Sequence, residues 1–79
     1  MSKVKAQLLK RAITSGNKKL AVQLALLNSV EGGNQVYLPN AYDLIETMMN
    51  KNEFAGYLSS LEREGFYKSQ NDGFFGTIK

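Results

Sequence analysis

The sequence predicts an α+β fold, mainly helical, with a small antiparallel sheet and an additional N-terminal helix. Three observations predict it. Apolar residues recur at helical spacing in four successive segments, N-cap and C-cap residue types separate those segments, and the last fourteen residues switch to short aromatic and β-branched runs on either side of Asn71-Asp72-Gly73. At 79 residues the chain is a single domain, 1–79, that buries only about 60 to 65% of its unfolded surface, so each apolar face matters.

From the beginning, Met1–Thr14 reads as a helix, with Val4, Leu8, Leu9, Ala12 and Ile13 as an apolar stripe and Lys3, Lys5, Lys10 and Arg11 on the remainder. Ser15-Gly16-Asn17 ends it. Asn17 caps a second helix, Lys18–Ser29, in which Leu20, Leu24 and Leu27 share a face that Ala21, Val22, Ala25 and Leu26 widen. Glu31-Gly32-Gly33-Asn34 reads as a plain loop, and Gln35-Val36-Tyr37-Leu38 before Pro39 as a brief strand.

Asn40 then stands where an N-cap belongs, with Asp43 three residues on as a short capping-box acid, so a third helix starts at Ala41. Its apolar residues Ala41, Leu44, Ile45, Met48 and Met49 follow the i, i+3, i+4, i+7, i+8 pattern until Asn50-Lys51-Asn52 interrupts. The fourth helix, Glu53–Glu64, aligns Phe54, Leu58 and Leu61, and Gly65 supplies the residue that best tolerates a left-handed C′ position. Strands Phe66–Gln70 and Phe74–Ile78 follow. The three faces within 18–29, 41–49 and 54–61 are expected to converge, with Val36, Leu38, Phe66 and one of Phe74 or Phe75 closing the core. Period-2 alternation puts Phe66 and Lys68 on one face and Tyr67 and Ser69 on the other, and it prevents Phe74 and Phe75 from both pointing inward.

Two helices joined by a three-residue break, the second running into a hairpin through Leu58, Leu61, Glu62, Gly65 and Phe66, resemble the winged helix-turn-helix family. The resemblance covers residues 17–79, leaving 1–15 as the additional basic helix. It implies a three-stranded sheet in which the strand at 35–38 joins the hairpin. It also implies that the second helix of the pair enters the DNA major groove while the wing touches backbone or minor groove. Carried onto this chain, the DNA-facing positions are Asn52, Glu53, Gly56, Tyr57, Ser60 and Arg63, with Lys51 in the preceding turn and Lys68 on the wing.

Composition narrows function. Cysteine and histidine are absent, which removes disulfides, thiolate nucleophiles, the usual zinc ligands and the commonest general base. The carboxylates form no clear pair on one face, so no enzyme, metal site or cofactor is expected and a binding domain is the default. No apolar run approaches the about 20 residues of a membrane span, and the start lacks a signal-peptide core, so a cytoplasmic location is expected. The net charge of +3 is uneven: residues 1–30 carry six bases and no acid, whereas 31–79 carry four bases against seven acids.

Two functional expectations follow. The first is a small DNA-binding regulator, with Asn52, Tyr57, Ser60 and Arg63 in or near the major groove and Lys3, Lys5, Lys10, Arg11, Lys18, Lys19 and Lys68 on phosphates. Asn52 suits a bidentate contact to adenine. The second is a protein-interaction module, an inhibitor or adaptor of a nucleic-acid-processing machine. The acidic residues of the 53–64 helix and an exposed wing aromatic speak for it. Gly56 inside that helix costs about 1 kcal/mol relative to alanine, which points to close approach of a ligand, to tight packing against a neighbouring helix or to simple tolerated drift. The N-terminal helix reads as packing on its own domain, as a homodimer surface, or as a basic amphipathic membrane helix, the last disfavoured by its lack of Trp and Phe.

Overall fold

The computed structural model describes residues 3–70 and 73–79, with the side chains of 3–6 outside the description. The order is α1 (Lys3–Ser15), α2 (Lys18–Asn28), β1 (Val30–Glu31), β2 (Gln35–Tyr37), α3 (Leu38–Asp43), α4 (Lys51–Arg63), β3 (Tyr67–Ser69) and β4 (Phe75–Ile78). The strands form one antiparallel sheet in the order β1-β2-β4-β3. The α+β class and the N-terminal helix are as the sequence predicts. Positions Met1 and Ser2 of the predicted first helix, and Asn71 and Asp72 of the predicted turn, lie outside the described residues.

Helix α2 is the hub. Asn17 caps it, its Oδ1 accepting from the Leu20 amide at 3.2 Å. Most of its predicted face is buried, Ala21, Val22, Leu24, Ala25 and Leu26 lying inside, but Leu20 is 40% exposed. The small residues Ala21 and Ala25 let neighbouring helices approach closely. Leu8 likewise leaves the predicted stripe of α1 and lies 43% exposed, whereas Leu9 and Ala12 pack inward.

Residues 31–34 are not a plain loop. They turn β1 back onto β2, with Val30 opposite Val36, and Gly33 takes a positive φ of 68°. The expected three-stranded sheet therefore gains a fourth strand, while the pairing of β2 with the terminal hairpin is present, Val36 lying opposite Gly76.

The third helix is displaced and shortened. Pro39 occupies its first turn, where a missing N–H costs nothing, so the helix begins at Leu38 and Asn40 is an exposed residue inside it rather than its cap. It ends at Asp43; beyond it, the Leu44, Ile45 and Met48 amides bond three residues back, to Ala41, Tyr42 and Ile45, in tight turns. Ile45 and Met49 still reach the core, following the buried Ala41 at four-residue intervals. Asn50 then caps α4, accepting from the Glu53 amide at 2.8 Å, which brings Lys51 and Asn52 into the helix rather than the turn.

Gly65, at φ 81°, closes α4. The Phe66 amide bonds Leu61 O and the Gly65 amide bonds Glu62 O. The strand that follows has the opposite facing to the predicted one: Tyr67, 1% exposed, fills the core and Phe66 is half-buried. Gly76 explains this choice. A Cβ at that position would overlap the Tyr67 ring, so the glycine makes the space in which the ring lies. Neither Phe74 nor Phe75 closes the core. Phe74 is 59% exposed, and Phe75 packs on Tyr37 across the outer face of the sheet, ring centroids 5.0 Å apart.

Candidate functional site

Helix α4 presents four longitudinal strips at 100° per residue. Phe54 and Leu61 are buried. On one flank Glu53, Tyr57, Ser60 and Glu64 turn toward α2, and on the other Lys51, Ala55, Leu58 and Glu62 turn toward α3 and the terminal hairpin. The outermost strip is Asn52, Gly56, Ser59 and Arg63, all exposed.

Each carboxylate of α4 is bonded within the domain. Lys18 Nζ donates to Glu53 Oε2 at 2.9 Å, and Lys19 donates to Glu64, which also accepts from Ser60 Oγ at 3.4 Å. Glu62 accepts from the Ser69 amide and hydroxyl, each at 3.2 Å to Oε2, tying the helix to β3. The bond from Lys18 holds the Glu53 carboxyl below its ordinary range, the bond from Lys19 does the same for Glu64, and the bond to Glu53 raises Lys18. The carboxylates are thereby held on the flanks of the helix, Glu53 and Glu64 each paired with a lysine and Glu62 bonded to Ser69.

The expected site residues separate into groups. Lys19, Glu53, Gly56, Tyr57 and Ser60 line one shallow hollow between α2 and α4. Lys51, Asn52 and Arg63 are exposed along the helix, and Lys68 is exposed on β3. Lys10 and Arg11 are exposed on α1, with Gln7 and Thr14 beside them; the side chains of Lys3 and Lys5 lie outside the description. Gly56 meets no atom within 4 Å of where a Cβ would stand, which removes the packing explanation for it. Ser59 was missed in the sequence, although the 3.6-residue period from Asn52 through Gly56 leads directly to it.

A second hollow, of about 350 Å³, opens on the other flank. Leu38, Pro39, Tyr42, Phe54, Leu58 and Phe74 supply apolar walls, and Asp43 and Lys51 stand at its edge. Tyr42 is fixed there by its hydroxyl, which donates to Met49 O at 2.9 Å, and by its ring, 5.3 Å from that of Phe54.

No family model, curated protein or solved structure matches the chain. Among the described residues no group of three or more carboxylates is placed to hold a metal ion, and no helix is long and apolar enough to cross a membrane.

Proposed function

We propose that the chain binds double-stranded DNA through α4, as a small winged-helix regulator of transcription. The carrying observation is the outer strip of that helix. With Glu53, Glu62 and Glu64 bonded to the sides, the surface that a groove would meet carries Asn52, Gly56, Ser59 and Arg63 and no carboxylate. The element order supports the same reading: a helix pair followed by a hairpin, with an earlier strand paired to the last one.

In this arrangement Asn52 reads adenine through its amide, and Arg63 reaches a phosphate or the acceptor edge of guanine. Gly56 and Ser59 let the helix backbone sit deep, while Lys51 and Lys68 contact phosphates on either side. Lys18 and Lys19 act by neutralising Glu53 and Glu64, since both ammonium groups are already engaged. Lys10 and Arg11 extend the basic surface, as do Lys3 and Lys5 by sequence.

The test is duplex titration by fluorescence anisotropy across a salt series. Affinity falls steeply with salt, and Lys51→Ala and Arg63→Ala each lower the slope by about 1. No binding at low salt would sink the proposal. A second reading, a protein-interaction module, draws on the apolar hollow beside Phe74. Under it, Phe74→Ser abolishes saturable capture of a protein partner while the domain stays folded.

A further inference from the structure

We infer that the hollow beside Phe74 binds a free α-amino acid with an aromatic or bulky aliphatic side chain, its ammonium group meeting Asp43 and its carboxylate meeting Lys51. The hollow lies on the flank of α4, beside the outer strip rather than on it. It holds about 350 Å³, within the roughly 300–1,000 Å³ of small-molecule sites. Its wall is apolar, built by Leu38 and Tyr42 of α3, Phe54 and Leu58 of α4, and Phe74. Such a wall takes a compact apolar body and leaves the polar part of the ligand to the rim.

The rim carries one acid and one base. Asp43 ends α3, Lys51 begins α4, both line this hollow and both are exposed. Neither side chain has a hydrogen bond or an ion pair among the described residues, whereas Glu53 and Glu64 of the same helix are each held by a lysine. An acid and a base that share a rim without bonding each other are left to be matched by a molecule placed between them. An α-amino acid meets both charges from one carbon, with its side chain directed at the wall. A peptide end brings one of the two charges and a hydrocarbon brings neither.

The same side chain holds wall and rim in place. The Tyr42 hydroxyl donates to Met49 O at 2.9 Å, joining the residue before Asp43 to the one two places before Lys51. The Tyr42 ring packs on that of Phe54, with centroids 5.3 Å apart. Asn50 caps α4 and so fixes where Lys51 enters the helix. A site formed in advance lowers the ordering cost of binding. Charges at an exposed rim contribute modestly, so a ligand this small binds in the millimolar range.

Lys51 is the one lining residue shared with the DNA reading, and titration of the ¹⁵N-labelled chain without duplex, followed by NMR, keeps the two apart. Three probes have a similar aromatic body: L-phenylalanine carries both charges, phenylacetate the carboxylate alone and phenethylamine the ammonium alone. L-Phenylalanine binds at least about threefold more tightly than either of the others and shifts the amide signals of Tyr42, Lys51, Leu58 and Phe74. Asp43→Asn removes its advantage over phenylacetate, and Lys51→Gln removes its advantage over phenethylamine. Both substitutions fall on exposed side chains without partners, and circular dichroism checks that the fold is kept. The absence of any shift at about 50 mM L-phenylalanine overturns the inference. So does equal affinity for the three probes, the result for a groove that takes only an apolar side chain of a protein partner, and so do shifts centred elsewhere on the molecule.

Discussion

Replacing Gly56 by alanine should make this protein more stable while a larger residue at the same place impairs its binding. Gly56 lies in the middle of α4 with helical backbone, and an added Cβ meets no atom within 4 Å. Only the intrinsic preference for alanine over glycine in a helix remains, about 1 kcal/mol, contributed largely by the unfolded chain's lost freedom. For a domain of this size that is a rise in Tm of about 4–8 °C. Leucine, also a good helix former, should preserve most of that gain but raise a bulky side chain between Asn52 and Ser59, lowering duplex affinity by about tenfold or more. Thermal melts followed by circular dichroism give the first quantity and anisotropy titration the second. A loss of stability in Gly56→Ala would refute the open-face geometry of α4. Unchanged duplex affinity in a stable Gly56→Leu variant would refute the placement of that face in the groove.

Gly76→Ala should have the opposite effect on stability, because its Cβ enters the space of the Tyr67 ring in a strand held by partners on both sides; a loss of about 2 kcal/mol is expected in a urea or thermal melt. Asn50→Ala should cost about 1 kcal/mol by removing the α4 cap, whereas Asn40→Ala, which loses no cap, should fall within about 0.5 kcal/mol of the parent, a contrast read in one denaturant series. The α2–α4 ion pairs should weaken in acid. The folded Glu53 and Glu64 titrate below their ordinary 4.5, so their contribution is present above that value and fades as pH falls through the lower folded values. Lys18, raised above 10.5, contributes below that value and loses its contribution as pH rises further. The Tm difference between the parent and a Lys18→Gln, Lys19→Gln variant should therefore be constant near neutrality and vanish in strong acid, and a difference that persists there would count against these pairs.

Local chemistry made much of the fold legible. Asn17 as a cap, Gly65 as a left-handed terminator and the helical periods within 1–14 and 53–64 depend on neighbours within a turn or two; the caps are found where those residues place them, and the last helix begins two residues earlier than its period predicts, at Lys51. The third helix was misplaced because two local signals compete there. Asn40 is a good cap, but Pro39 before it is better placed inside a first turn, and the chain follows the proline. The strand facing was inverted for a different reason. Alternation specifies which residues share a face but not which face is inward, and that choice depended on Gly76, nine residues from Tyr67 in sequence and across the sheet from it.

The candidate site divides in the same way. The residues of α4 and their spacing are in the sequence, and with them the choice of Asn52, Gly56 and Arg63. The sequence by itself also determined the α+β class, the order of the helix pair and hairpin, and the concentration of positive charge in the first thirty residues. Only the tertiary structure decided what becomes of the acids. Glu53 lies 35 residues from Lys18, and Glu64 lies 45 from Lys19, so no local rule links them. Packing α2 against α4 brings the pairs within reach, and Coulomb attraction with hydrogen bonding then turns an acidic helix into one with a carboxylate-free outer face.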